Sequence, residues 1–420
     1  MLRRLAVVSF AITLSLPAFA ATRMTFDIHG TPTAVEWAPA AFPLHYDIDQ
    51  RVTRLHPNAA VMIERAFAAW STIPDVSLRF ESRGVVANSV PNGEGISVTL
   101  TDDLLSGQGA IALTAYTYDT NTGRMLDADI RVDPSLFSGE VNAQSALEHE
   151  VGHTLGLDHS AVLSSVMYPY VGPYDTPADL DIDDRIAIAT IYSKSDSTLR
   201  GATLQGRVLG DNGGVFAAQV VAVNEQGQPV ATSLTNAAGE FALLTVPAGR
   251  YRLYAEPLDG PVMVAALQGT WRQAEAKPFP TEFFDAAVDV ENGKMYGNLV
   301  VNTAGPVQIN PRLIGASAPD ATSVSLNSSP VAVTPGQTVK LTIGGDGFTS
   351  GMTEFEVLNP AFRRISDFEW WGDAVSATFT IASNAQPTSS VIVVRSGRET
   401  ATLTGALRVF RAPKSRSMRH

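Results

Sequence analysis

Apolar positions recur along the chain with two different periods. Leu44-His45-Tyr46-Asp47-Ile48 alternates as a half-buried strand, and Val76-Ser77-Leu78-Arg79-Phe80 and Ile96-Ser97-Val98-Thr99-Leu100 repeat that alternation. Between them, Asn58 to Trp70 places Val61, Ala66, Phe67 and Trp70 near helical spacing. Ala110 to Tyr118 and Asp129 to Asp133 predict two further strands around a turn at Asp119 to Gly123. Helices are predicted from Asn142 to Leu155 and from Asp183 to Tyr192.

Beyond Leu204 the texture changes to short strands and turns. Ala218 to Val223 precedes a turn at Asn224 to Gln228. Asn236-Ala237-Ala238-Gly239 leads into Phe241-Ala242-Leu243, and Pro247-Ala248-Gly249 into Tyr251-Arg252-Leu253. Turn signals about a dozen residues apart predict a small β-sandwich. This order of motifs resembles the carboxypeptidase-regulatory-like, transthyretin-like modules. From Thr322 to Phe410 the pattern is again all strands and turns. There Pro335-Gly336, Val339 to Ile343 and Gly344-Gly345-Asp346-Gly347-Phe348 resemble an immunoglobulin-like fold of the IPT/TIG kind.

The first residues carry a different signal. Arg3 and Arg4 precede an apolar run from Leu5 to Leu16, then Pro17 and the small-x-small triplet Ala18-Phe19-Ala20. That is the pattern of a secretory signal peptide cleaved after Ala20. The alternative, a membrane anchor, needs an apolar run of roughly 20 residues. No later stretch is apolar for that length, so a secreted protein, extracellular or periplasmic, is expected. The net charge of −12 argues against nucleic acid as a partner, because phosphate contacts need a basic surface. The chain has no Cys, which excludes disulfides, thiol nucleophiles and thiolate metal sites. Any metal must be held by His, Asp, Glu or backbone oxygens.

One segment concentrates the chemistry: His149-Glu150-Val151-Gly152-His153-Thr154-Leu155-Gly156-Leu157-Asp158-His159-Ser160. On a helix, His149 and His153 leave the same face one turn apart and can share one zinc. Glu150 lies about 100° round the helix from His149, within reach of a water at the metal without being a ligand. Gly156 can adopt a left-handed conformation that ends the helix and turns the chain. His159 can then return to the same metal. Three imidazoles leave a fourth position open, the catalytic rather than structural arrangement. The five fixed residues at this spacing should arise by chance on the order of 10⁻⁵ times in such a chain. The alternatives are histidines with purely structural roles, or an inactive remnant of a site.

With Val166-Met167-Tyr168-Pro169 downstream, the segment resembles the metzincin metalloproteases, whose long zinc motif is followed by a methionine-containing turn. Ser160 after the third His, the Met-Tyr-Pro order, and Leu180 to Tyr192 with paired Asp183 and Asp184 resemble the matrixins, the matrix-metalloproteinase family. The resemblance spans residues 25 to 195. It implies that His149, His153 and His159 ligate one catalytic zinc and that Glu150 is the general base. It also implies that Met167 forms a hydrophobic floor beneath the metal. By the same resemblance, the strand around Ala112 and Leu113 would pair with an extended protein or peptide substrate, and Pro169 and Tyr170 would wall its S1′ pocket. The family's usual Pro-x-Tyr would need Tyr at 171, where this chain has Val171.

Three departures stand out. Vertebrate matrixins stay latent through a propeptide cysteine, which this chain lacks. Animal matrixins hold a second, structural zinc through three His and an Asp, whereas Leu104 to Phe137 contains no histidine. The turn Asp119 to Gly123, with Asp127, offers alternating oxygens that could bind Ca²⁺, or forms an Asx turn that needs no metal.

Together these readings predict a multidomain chain. An α+β metzincin catalytic domain (a twisted mixed sheet plus three helices) would be followed by two all-β sandwich domains. The expected boundaries are 1–20 for the signal peptide, 21–197 for the matrixin-like domain, 204–318 for the transthyretin-like sandwich with an extension or linker, 319–411 for the Ig-like sandwich and 412–420 for a disordered basic tail. All metal ligands fall within the first 195 residues, so an autonomous catalytic unit is expected. Two functions remain open: a secreted zinc endopeptidase, or a surface- or matrix-binding protein whose sandwiches do the work beside a vestigial protease domain. The sandwiches would contact protein or carbohydrate surfaces. Trp370-Trp371 offers one such contact, or else a half-buried strand pair.

Overall fold

The structure, a computed structural model, describes residues 23–90, 95–101, 110–173, 179–194, 201–273, 277–303, 305 and 307–411. The segments read as signal peptide and basic tail lie outside them. Among the described residues no helix is long and apolar enough to cross a membrane.

The N-terminal part opens with a hairpin that the pattern did not predict, β1 (Thr25–Ile28) and β2 (Thr31–Ala34). A five-stranded sheet follows, built from β3 (Leu44–Asp49), β4 (Phe80–Val86), β5 (Ile96–Leu100), β6 (Ala112–Tyr118) and β7 (Met125–Val132). Its order is β4-β3-β5-β7-β6, parallel throughout except for β6, which runs antiparallel to β7 at one edge. The helices are α1 (Gln50–Thr53), a single unpredicted turn, then α2 (Ala59–Ser71), α3 (Ala143–Thr154) and α4 (Ile182–Tyr192).

The core forms where α2 and α3 pack on the sheet. Ile63, Phe67 and Trp70 of α2 meet Leu147 and Val151 of α3 and Ile48, Val98 and Ile130 of the strands. Val61, expected on the inner face of α2, is instead 48% exposed, because Ile63 takes the buried stripe with Ala59, Ala66, Phe67 and Trp70. The expected strand Val76 to Phe80 is also corrected. Val76 and Leu78 are buried as their alternation implies, but Val76 makes only an isolated bridge to Ser193, and the ladder against β3 begins at Phe80. Alternation records which face is covered, not whether a partner strand runs alongside.

The C-terminal region is sheet-rich and divides into two pairs of sheets. In the first pair, one sheet orders Pro229–Leu234, Gln219–Asn224, Gly249–Glu256 and Glu282–Phe283. The facing sheet orders Glu240–Val246, Ala202–Gly210 and Met295–Asn302. Leu204, Val208, Val220, Phe241, Leu243 and Leu253 fill the space between them. In the second pair, one sheet orders Asn310–Ser317, Thr338–Asp346, Ala374–Ile381 and Phe362–Arg364. The other orders Val331–Val333, Glu399–Val409, Thr388–Ser396 and Thr353–Val357. Asn310–Ser317 pairs with Thr338–Asp346, so this strand belongs to the last module and not to the end of the middle one as the 318/319 boundary had it. Trp370 is half-buried and donates to the Thr353 carbonyl, while Trp371 is exposed beneath Lys340.

The three parts are not strung out on linkers. Ile186 of α4 belongs to the apolar core of the middle module, and Leu163 and Tyr168 belong to that of the last. Polar contacts cross the same boundaries. Thr232 donates to Asp183 (2.9 Å), Ser389 to Asp181 (3.2 Å), and Tyr168 to the Ser328 carbonyl (2.8 Å).

A buried carboxyl also sits between the two C-terminal modules. Glu256 accepts from Gln219 (2.6 Å), Thr404 (2.7 Å) and Thr402, and burial, outweighing these donors, raises its pKa from 4.5 to about 7. A raised carboxyl favours the fold while protonated, so its contribution is complete below the unfolded pKa and is lost as pH rises through about 7. The shift corresponds to about 3 kcal/mol. Thermal unfolding of the full chain should therefore show Tm falling from about pH 5 to 8, with Glu256→Gln removing that residue's share of the slope. An identical slope in the variant would contradict this assignment.

Candidate metal centre and active site

Helix α3 sets the first two histidines. Asn142 caps its N-terminus by accepting from Ser145 N (3.0 Å). Its last carbonyls are covered too. Trp37 Nε1 donates to Thr154 O (2.7 Å) and the Tyr192 hydroxyl to Leu155 O (2.9 Å). The helix stops at Thr154, and just past its cap Gly156 turns the chain, with φ +89° and packing so close that a Cβ would lie 2.2 Å from the Val35 carbonyl. A side chain is excluded there both by conformation and by space. The reversal carries His159 back beside the helix.

His149, His153 and His159 converge, with ring centroids 4.5 to 5.1 Å apart and one ligand nitrogen from each within 4.8 Å of the others. Each Nδ1 faces a backbone carbonyl: His149 that of Val166 (2.8 Å), His153 that of Leu157 (2.8 Å), and His159 that of Ala266. A carbonyl can only accept, so each Nδ1 carries the proton and each Nε2 presents a lone pair. Burial, reinforced by the neighbouring rings, lowers the His149 pKa to about 3 and holds His153 well below 6.5; burial also lowers His159. Neutral imidazoles gathered in this way form a donor set suited to zinc. The triad is positioned to bind a metal ion.

Glu150 follows His149 on α3 and is buried like it. Its Oε2 accepts from Thr114 Oγ1 at 2.6 Å, and the same hydroxyl contacts the Glu150 carbonyl at 3.0 Å. Burial raises the Glu150 pKa to about 7, with the Thr114 bonds pulling the other way. Thr114 escaped the sequence reading, since nothing local marks one threonine in a strand. It lies on β6, whose inward face also holds Ala112. Of the two strand residues expected to meet substrate, Ala112 is 8% exposed and Leu113 45%. Among the described residues no strand pairs with the outer edge of β6. Tyr170 is exposed and packs edge-on against Tyr168 at 5.6 Å.

Along α3, between His149 and His153, a Cβ on Gly152 would lie 2.3 Å from Met167 Sδ, and Trp70 closes the same spot. The turn that carries Met167 is tied down by Asp184. Oδ1 accepts from Ser165 Oγ (2.5 Å) and Met167 N (3.3 Å), while Oδ2 accepts from Val166 N (2.9 Å) and Asp181 N (2.8 Å). Its neighbour Asp183 accepts from Ser160 Oγ (2.9 Å). Each Asp184 oxygen serves a backbone N–H, so the amide of Asp184→Asn must turn its NH₂ on one of them. That change should cost about 2–3 kcal/mol, read as a lower Tm. A wild-type Tm would show that the turn holds without this carboxylate.

The turn read as either a calcium loop or an Asx turn carries hydrogen bonds of its own. Asp119 Oδ1 accepts from Asn121 N (2.7 Å), and its backbone carbonyl accepts from Gly123 N (2.8 Å). Of the histidines outside the triad, His29 contacts Asn121 (3.4 Å), His45 faces Glu81 (3.6 Å) and His56 stacks on Phe137 (5.7 Å).

Three buried or half-buried imidazoles, with one ligand nitrogen from each within 4.8 Å of the others, form a candidate metal centre. Residues 36–193 match the matrixin family model, so a matrixin domain is present in this part of the chain. The chain is 29% identical over 139 residues to metalloendoproteinase 4-MMP of Arabidopsis thaliana, covering 31% of this chain and 39% of that protein. It is 28% identical over 176 residues to metalloendoproteinase 1-MMP of the same plant (37% of this chain, 46% of that one). It is 29% identical over 164 residues to the hatching enzyme of Paracentrotus lividus (37% and 26%). The chain thus spans less than half the length of these relatives.

Proposed function

We propose that this chain is a secreted zinc metalloendopeptidase that cleaves extracellular proteins or peptides. The observation that carries the reading is the triad itself: three Nδ1 atoms set on backbone carbonyls, and one ligand nitrogen from each ring within 4.8 Å of the others, with Glu150 next to His149 on the same helix. His149, His153 and His159 hold the zinc. Zinc in such a site supplies a Lewis acid that polarises a carbonyl and makes water more acidic.

The chain's own residues do the rest. Glu150 takes the proton of the attacking water on its carboxylate and passes it to the departing amine. Thr114 holds that carboxylate in place through its 2.6 Å bond to Oε2. An extended substrate adds to the free edge of β6, where backbone hydrogen bonds bind it largely without regard to sequence. Leu113 then meets substrate side chains, Ala112 contributes its backbone, and Pro169 and Tyr170 border the pocket beyond the scissile bond. The two C-terminal modules are a transthyretin-like and an Ig-like sandwich that contact protein or carbohydrate surfaces.

The test is cleavage of an unstructured protein by the purified full chain, abolished by a zinc chelator and restored by added zinc. A zinc-loaded, folded chain that cleaves nothing would sink the reading and favour a binding protein with a vestigial protease domain.

A further inference from the structure

Two of the three histidines are oriented from within the matrixin domain, by the carbonyls of Val166 and Leu157. The third is not. His159 Nδ1 donates to the carbonyl of Ala266, which lies 107 positions away in the middle module. Ala266 closes a single 3₁₀ turn, Val264–Ala266, in the segment that follows Gly249–Glu256. Leu267 and Trp271 root this segment in the middle module against Ala217, Leu234 and Leu258.

From that root the segment is fastened to the matrixin domain on either side of His159. Asp158 is fully buried. Its Oδ1 accepts from His159 N (2.7 Å) and its Oδ2 from Gln268 N (2.9 Å), so one carboxyl joins the histidine's backbone to the segment. The Tyr116 hydroxyl donates to Gln268 Oε1 (2.5 Å), and Thr270 N donates to Thr25 O (2.8 Å). Gly269, at φ +59°, sits so close to β1 that a Cβ would fall 2.0 Å from the Thr25 carbonyl.

We infer that residues 264–270 of the middle module are a positioning strap for the metal centre: they select the tautomer and ring orientation of His159, so the site is completed by the second module. This rests on the reading of the triad as a zinc site. His149 and His153 ride on a helix, but His159 lies past its end, where only outer partners fix the ring. Loss of such partners typically costs 10- to 100-fold in metal affinity. The catalytic unit of about 195 residues expected from ligand positions alone then lacks the carbonyl that orients its third ligand.

The test keeps the full chain. Gly269→Val cannot fit against the Thr25 backbone, so it should lift the strap without altering any side chain that meets the histidines. Zinc affinity, measured by competition with a chelator, should fall 10- to 100-fold. In the metal-free protein, ¹⁵N imidazole shifts of His159 should move away from the pure Nδ1-protonated form, while those of His149 and His153 stay put. A change in general stability would not single out one ring. Leu267→Ala, which loosens the root of the strap, should move both readouts in the same direction by a smaller factor, and it decides alone if Gly269→Val does not unfold cooperatively. Folded variants with wild-type zinc affinity and an unmoved His159 tautomer would overturn the inference. A His149→Ala chain that holds as much zinc as the wild type would instead overturn the zinc reading beneath it.

Discussion

Glu150→Gln is expected to lower kcat by at least about 10²-fold while zinc stays bound, the range for loss of a general acid–base group. The carboxyl and the amide have nearly the same shape, and Glu150 is not one of the three converging ligands. Gln keeps an oxygen that can accept from Thr114, so the local packing survives. The amide cannot take a proton from water at neutral pH, and that step is what the variant removes. The check is steady-state cleavage of a quenched peptide alongside elemental analysis. Near-native turnover by a zinc-loaded Glu150→Gln chain would show that another group carries the proton.

The second large effect concerns how many metals the chain holds. The purified protein should carry one zinc per chain, and His149→Ala should lose most of it. Two imidazoles in place of three remove a ligand and leave a buried gap at the centre of the triad. Among the described residues, the group of three metal-ligating side chains that lies close enough for one ion is His149, His153 and His159. His29, His45 and His56 sit with separate partners, Asn121, Glu81 and Phe137. Elemental analysis finding two tightly held zincs, or a full complement in His149→Ala, would contradict this count.

These expectations bear on how the modules relate. If the strap orients His159, separating the matrixin domain from the middle module costs metal affinity as well as any substrate contacts the module makes. Two further junctions point the same way. Asp183 accepts from Ser160, next to the third histidine, and also from Thr232 of the middle module. Leu163 and Tyr168, flanking the methionine turn, are part of the last module's core. The methionine turn and the helix behind it are therefore packed against both C-terminal modules.

What the sequence determined by itself is the local part of the site. The i, i+4 spacing of His149 and His153, the glycine that turns the chain at 156 and the return of His159 three residues later all act over a few residues. Helical geometry and left-handed backbone turn such spacing directly into positions in space. The long helices and most strands were legible for the same reason. Tertiary structure alone decided the rest: that Thr114 holds Glu150, that Asp184 gathers the methionine turn, that Asn310–Ser317 joins the last sheet, and that Ala266 faces His159. These partners are 17 to 107 positions apart. A hydrogen bond to a backbone carbonyl asks nothing of the side chain at that residue, so Ala266 leaves no mark in the sequence, and only the packing of one module on another brings it to the metal centre.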